Sequence, residues 1–590
     1  MLARRSSQVP AAIARGVATL LLALLAGSAA ARESAARVDA ASEFSVDLRR
    51  PGPTLNLELL GNASRLPALL AVNSGALLSS GPRSGPGPDF FRNRYPQYRQ
   101  FRVGNLFFGY QCSGMDFDEL AVRASDGRIE YRFGQTLDML QTLVAAGIKP
   151  HLALTGTPRA LVPPGEKPLE HPAYGCVNAP AIDWSKTQPR ERMPEWWALQ
   201  DAFFKALVAR FGKAELQGWT FATWTEPLNP TRKLAHLVLP EAVVRDGRHD
   251  EAVATLLATS IDAAMTHGLR IRLGNMAGPV DKEYPKLVRE IGRFARGKDY
   301  LGYIEGYAIS RYRTKAGQDI GQQLDAAFAL LSNPAMPDKP LFIDELGDLA
   351  GDDGVEPFAG AAGLDGARFV ATALERVVAR QDGTPRSPRS VALWSDQITP
   401  RPRHLFTQPE AYLRSAASHV TNMFASLRGH ARLVVDGPAR LAVAGTREGR
   451  VKLILLGAPM TAGLGSPQPQ TRGFELKGLR PNAAYSVTLT EVSRLQGNPI
   501  SAFLGGAPGQ GQDRSGRFEV RGGEWKLASP YWESCYFDED ARCAWRESAR
   551  RIEAPLVRSS TLRSDAAGTL RSSTTVDAPA IVMIDVAPAP

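Results

Sequence analysis

Four cysteines and eight histidines are all that the 590 residues contain; no two cysteines stand at the close spacing zinc sites use, and no histidine pair accompanies them. The sequence thus offers no metal-ligand set, and neither a metal nor another cofactor is expected. No glycine-rich phosphate loop follows the first apolar strand, which argues against a doubly wound dinucleotide-binding sheet. The arginines are scattered rather than gathered in a basic run interleaved with aromatics, so nucleic acid is not an expected partner. No apolar segment beyond the N-terminus approaches the ~20 residues that cross a bilayer. No fixed-period repeat argues for a solenoid.

What remains is an ordinary globular composition, 44% hydrophobic and 22% charged. At this length more than one core is expected. The N-terminus stands apart: Arg4, Arg5 and Arg15 precede the apolar run Val17–Ala26, and Ala29-Ala30-Ala31 supplies small residues for cleavage. That is the layout of a secretory signal peptide, over residues 1–31. The expected location is therefore exported, periplasmic or extracellular, with no stable membrane insertion after cleavage; an uncleaved N-terminal anchor is the alternative. In an oxidising compartment an even, small number of cysteines suggests disulfides. Cys535 and Cys543 flank a short polar segment and would close a local loop, which leaves Cys112 and Cys176 for each other. The formal charge of +10, still +7 without the three leader arginines, suits an anionic polysaccharide or cell surface; an arginine-preferring composition explains it equally.

Phe44–Leu48 and Leu55–Leu59 alternate like two half-exposed strands around the turn Arg50-Pro51-Gly52-Pro53. They lie in a segment, 32–65, that needs a partner sheet. Over 66–430 short apolar strands alternate with amphipathic helices, the mark of a parallel α/β fold. The candidate strands are Leu69–Asn73, Phe101–Phe107, Lys149–Leu154, Gly218–Trp224, Ile271–Gly274, Tyr303–Ile309, Pro340–Glu345 and Ser390–Ser395. Helical stretches such as Leu137–Gly147 and Trp196–Gly212, each with a glycine stop, separate most of them. Eight strand–helix units predict a (β/α)8 TIM barrel. Over 431–590 the helices give way to β runs between Gly and Pro turns, which predicts a C-terminal antiparallel β-sandwich completed by the N-terminal strands.

Two segments carry chemistry. The run Trp219–Pro227 ends an apolar strand on Glu226, flanked by Trp224 and Pro227, and Pro340–Glu345 ends another on Glu345. Reacting groups of a barrel sit at the C-terminal ends of its strands, and paired carboxylates are the equipment of glycoside hydrolysis. A retaining enzyme holds the two carboxyls about 5–5.5 Å apart and an inverting one about 6.5–9.5 Å, a distance that sequence does not carry. Glu226 sits among Trp224, Pro227 and Leu228, where partial desolvation favours a retained proton for general-acid work, whereas Glu345 must stay ionised to act as nucleophile.

These residues lead to a family. The chain after its leader resembles glycoside hydrolase family 39, the family of β-xylosidases and α-L-iduronidases, within a clan of retaining (β/α)8 hydrolases. The family's strand-four pattern is matched by Trp219, Phe221, Trp224, Glu226 and Pro227, and its strand-seven pattern by Glu345. Lys149–Leu161 is similar to the strand-three segment, Ala392–Asp396 to strand eight with Trp394 as a floor beneath the sugar ring, and Thr490–Pro508 to a run in the sandwich domain. The resemblance implies Glu226 as acid/base and Glu345 as nucleophile of a double displacement. Thr225 stands where the family has an asparagine that binds the sugar 2-hydroxyl, and Ala222 replaces a glutamate in the same pattern.

Tyr312, after strand six, is a candidate to approach the nucleophile, with a loop tyrosine as the plainer reading. Arg401 and Arg403, after strand eight, are candidates for a substrate carboxylate, against solvated loop arginines. Trp196 and Trp197 read as helix packing first and as a sugar platform second. The expected function is a secreted, metal-independent retaining glycosidase acting on a polysaccharide or oligosaccharide. The alternative is a catalytically weak polysaccharide-binding or exopolysaccharide-assembly protein on the same fold.

Overall fold

The computed structural model describes residues 42–62, 96–103, 106–107, 120–161, 193–227, 243, 245–276, 280–294, 298–315, 318–348, 363–393, 414–438, 442–457, 468–494, 496–499, 518–521, 524–527 and 551–590. Eight parallel strands close into a barrel in chain order: Glu58–Asn62, Gln100–Val103, Lys149–Ala153, Thr220–Ala222, Ile271–Met276, Ile304–Arg313, Leu341–Asp348 and Ser390–Leu393. We number them one to eight. Strand eight pairs with strand one through Ser390↔Glu58 to Leu393↔Gly61, which completes the circle.

The first strand corrects the sequence reading. The segment around Leu59 does not join the second sheet; Glu58–Asn62 opens the barrel, and the expected strand Leu69–Asn73 lies outside the described residues. The alternation that suggested a half-exposed strand belongs to the lead-in, where Leu55 and Leu57 are buried and Asn56 is exposed. Leu59 and Leu60 are then buried at consecutive positions, as a barrel strand enclosed on both sides requires.

Helix Gly134–Ala145 ends before Gly147 at φ +75°, and Pro194–Phe211 before Gly212 at φ +78°, so both glycine stops are left-handed terminators that a side chain would strain. Trp196 is fully buried, edge-on to Trp224 at 5.5 Å, while its indole Nε1 donates to Ser260 Oγ at 3.3 Å. Helix packing is thus the role of Trp196, and Trp197 is partly buried against the same core.

Among the described residues a second sheet holds nine strands. Phe44–Thr54 from the N-terminus is built into it, antiparallel to Ala431–Asp436 and parallel to Gln468–Lys477. Phe44, Val46, Leu453, Leu455, Phe474 and Ile584 belong to a core of its own, as expected of a sandwich domain. The alternate residues Ile454 and Leu456, with Val443 and Ile581, join the barrel's core instead. Strand Arg450–Leu456 is therefore buried on both faces, with helix Leu364–Ala379 packed against it from the barrel side, while helix Ala416–Ala425 packs against strand Ala484–Val492 of the same sheet.

Candidate active site

Strand seven does not end on its glutamate. It runs to Asp348, and one residue is inserted on the way: Ile343 is opposite Ile309 of strand six, yet Glu345 is opposite Ser310, so Asp344 has no counterpart. The same slip shows against strand eight, where Ile343 faces Val391 and Leu346 faces Leu393. Neighbours on a regular strand point to opposite faces; a β-bulge at Asp344 lets the two consecutive carboxylates both turn into the barrel.

Each has its own partners there. Glu345, 4% exposed, has Oε1 at 2.8 Å from Arg102 Nη1 of strand two, and its Oε2 accepts from the Tyr312 hydroxyl at 2.5 Å. Asp344, fully buried, lies 3.3 Å from Arg272 Nη1 of strand five and 3.4 Å from His151 Nε2 of strand three. Arg272 also donates to Thr220 Oγ1 and Glu305 Oε2, at 3.2 and 3.1 Å, and its guanidinium lies 3.4 Å over the Phe342 ring. A side chain on strand five that reaches strands four, six and seven lies inside the barrel, and it forms a charged floor beneath Glu345.

Burial works against the charge of Asp344, but His151 beside it, and after it Arg272 and Arg102, hold its carboxyl well below the ordinary carboxylate range. Burial likewise pushes His151 down, against the pull of Asp344, so the imidazole is neutral near pH 7 and Arg272 is the cationic partner. Tyr312 is raised well above 10, by burial first and then by the charges of Glu345 and Glu226. Its phenol stays protonated and donates to Glu345. That one phenol responds to both glutamates because strands four and seven bring them to the same cavity wall.

Strand four reaches the site through a tight local path. Strand five approaches it so closely at Gly274 that a Cβ there would stand 1.9 Å from the Trp224 carbonyl oxygen, and the Gly274 N–H donates to Thr223 Oγ1 at 2.9 Å. The chain then turns at Glu226, which is buried with φ +48°, a left-handed conformation that L-residues adopt at a cost. Beside it the Thr225 hydroxyl accepts from Arg102 Nη2 at 3.0 Å and from Thr155 Oγ1 at 2.8 Å. A hydroxyl that accepts twice still has its own hydrogen to donate, so the 2-hydroxyl donor role remains chemically open to Thr225.

Of the residues singled out in the sequence, Glu226, Glu345, Thr225 and Tyr312 come together. Trp394, Arg401, Arg403, Cys112, Cys176, Cys535 and Cys543, and the leader 1–31, lie outside the described residues. Arg102, Thr155, Asp344, His151 and Arg272 were not foreseen. A signal for two of them was present: Phe101-Arg102-Val103 and Ile271-Arg272-Leu273 each place an arginine between residues of a buried strand, where a charge is kept only if paired.

No family model matches the chain. A curated β-xylosidase from Caldicellulosiruptor saccharolyticus is 29% identical over 112 residues, which span 19% of this chain and only 20% of that protein. Among solved structures, the GH39 enzyme from Xanthomonas axonopodis pv. citri superposes with a TM-score of 0.63 at 14% identity, covering 94% of this chain and 98% of the other. A monomeric β-xylosidase from Caulobacter crescentus CB15 gives 0.62 at 16%, covering 93% and 100%. A bacterial orthologue of human α-L-iduronidase gives 0.57 at 14%, covering 92% and 84%. The chain is thus a (β/α)8 barrel protein with an appended β-sheet domain. Its fold is that of glycoside hydrolase family 39 enzymes, through both domains.

Proposed function

We propose that this protein is an exported glycosidase that hydrolyses O-glycosidic bonds of a polysaccharide or oligosaccharide with retention of configuration. The observation that carries the reading is the pair Glu226, just beyond strand four, and Glu345, within strand seven, acting on one buried phenol. Glu345, paired with Arg102 and oriented by Tyr312, attacks the anomeric carbon; the leaving-group oxygen takes the proton of Glu226. The resulting glycosyl ester is opened by a water that Glu226 deprotonates, and Glu345 departs as carboxylate. β-Xylosides and α-L-iduronides are the first substrates to try, since proteins of similar fold are named for them. The net charge of +10 makes anionic glycans the next class.

The role split has a kinetic signature. On aryl glycosides with good leaving groups, Glu345→Ala should lose turnover altogether, whereas Glu226→Ala should retain the first step and lose it on natural linkages. Equal residual rates for the two variants on activated substrates would overturn the assignment. A second reading draws on Thr225: its hydroxyl is held by Arg102 and Thr155 where a longer amide is usual, which suits a polysaccharide-binding or exopolysaccharide-assembly protein of little catalytic power. Glycan binding by the wild type without any hydrolysis would favour it.

A further inference from the structure

We infer that Asp344, which touches no substrate, is a positioning residue for Glu345: its carboxylate, anchored on Arg272 in the barrel floor, fixes the bulge that turns the nucleophile toward Arg102 and Tyr312. The inference rests on the glycosidase reading for its kinetic consequence but not for its geometry. The slip in register falls on Asp344 against strand six, and against strand eight it falls between Ile343 and Leu346, the same two-residue stretch. Without an inserted residue Glu345 would be on the face opposite to Asp344, among the helices that surround the barrel. Two consecutive inward acids can be sustained only if each charge has its own counterion, and the structure supplies separate ones, Arg272 for Asp344 and Arg102 for Glu345.

The anchor is itself constrained. Arg272 is braced by Glu305 Oε2, Thr220 Oγ1 and the face of Phe342, so it offers Asp344 a fixed point. His151 of strand three stands at 3.4 Å from the other carboxylate oxygen of Asp344. An aspartate is the shortest side chain that carries a carboxylate, so it ties the inserted backbone residue closely to that floor. Geometry at the reacting atom is where a misplacement of about 1 Å costs ~10²-fold in rate.

The test uses the full chain with Asp344→Ala, and with Asp344→Asn, which keeps the shape but removes the charge, as the second variant if the first does not fold. Two readouts are taken. In crystal structures of the variant, Glu345 is expected to leave the Arg102–Tyr312 pocket. On activated 4-nitrophenyl glycosides kcat is expected to fall by ~10²-fold with KM within about threefold, whereas Val391→Ala, a cavity on the neighbouring strand, keeps its kcat. A variant in which Glu345 stays on Arg102, or in which kcat stays within threefold of wild type, overturns the inference. If the wild type hydrolyses no glycoside, the glycosidase reading fails and the crystallographic arm alone decides the positioning role.

Discussion

Arg102 ties the nucleophile to the acid/base loop: its Nη1 stands 2.8 Å from Glu345 Oε1 and its Nη2 donates to Thr225 Oγ1 at 3.0 Å, one residue before Glu226. A single planar group thus links strand seven to the loop after strand four, three positions away around the eight-stranded barrel. Lysine cannot reproduce the fork. Arg102→Lys should keep the fold and lower kcat/KM by ~10²-fold through misplacement of Glu345. Arg102→Leu should also destabilise by about 3–5 kcal/mol, because it leaves a buried carboxylate without its partner. Denaturant unfolding alongside steady-state kinetics separates the two effects; a lysine variant with wild-type kcat/KM would contradict them.

Thr225→Asn lengthens the side chain toward the position of a sugar 2-hydroxyl. The expected outcome is a rise, of about tenfold, in the preference for 2-hydroxy over 2-deoxy aryl glycosides, since contacts at that hydroxyl strengthen in the transition state. The ratio of the two kcat/KM values measures it. An unchanged ratio would mean that Thr225 belongs to the Arg102–Thr155 web alone.

Glu226 is strained where it is. Glutamate at φ +48° stores about 1 kcal/mol that glycine would not. Glu226→Gly should therefore remove hydrolysis of natural linkages and yet leave the protein as stable as wild type or more so, in contrast to Glu226→Ala, which retains the strain. Melting temperatures of the two variants, compared directly, decide the matter.

The phenols give a pH prediction. Burial raises Tyr312 and Tyr284 well above 10 and Tyr98 to about 12. In the unfolded chain they ionise near 10, so their contribution to stability is complete below pH 10 and is lost as pH rises through and beyond it. Absorbance at 295 nm should show these tyrosines titrating only together with unfolding, between pH 10 and 12. Smooth ionisation in the folded protein would be the contrary result.

Periodicity in the sequence located seven of the eight barrel strands, because short apolar runs alternate with amphipathic helices, two of which, Gly134–Ala145 and Pro194–Phe211, end at a glycine stop. The first strand was misplaced since Leu55 and Leu57 are buried before the barrel begins, and an alternating lead-in looks like a sheet edge. Glu226 and Glu345 were legible as candidates from the apolar runs that precede them, and Tyr312 from its place after Ile309. The bulge at Asp344 was not, for an inserted residue leaves no mark on a run as uniformly buried as Leu341–Asp348. Arg102 needed partners on other strands to gain a meaning, and such pairings are set by barrel closure rather than by neighbours in sequence.

Strand Arg450–Leu456 contributes Leu453 and Leu455 to one core and Ile454 and Leu456 to another. Its consequence concerns how the molecule falls apart. A chain cut near residue 430 would leave helices Leu364–Ala379 and Ala416–Ala425 with a wetted apolar flank, and heating should melt barrel and sheet in one transition. The segment that makes the protein look like two modules is what prevents either from being inherited, exchanged or trimmed alone.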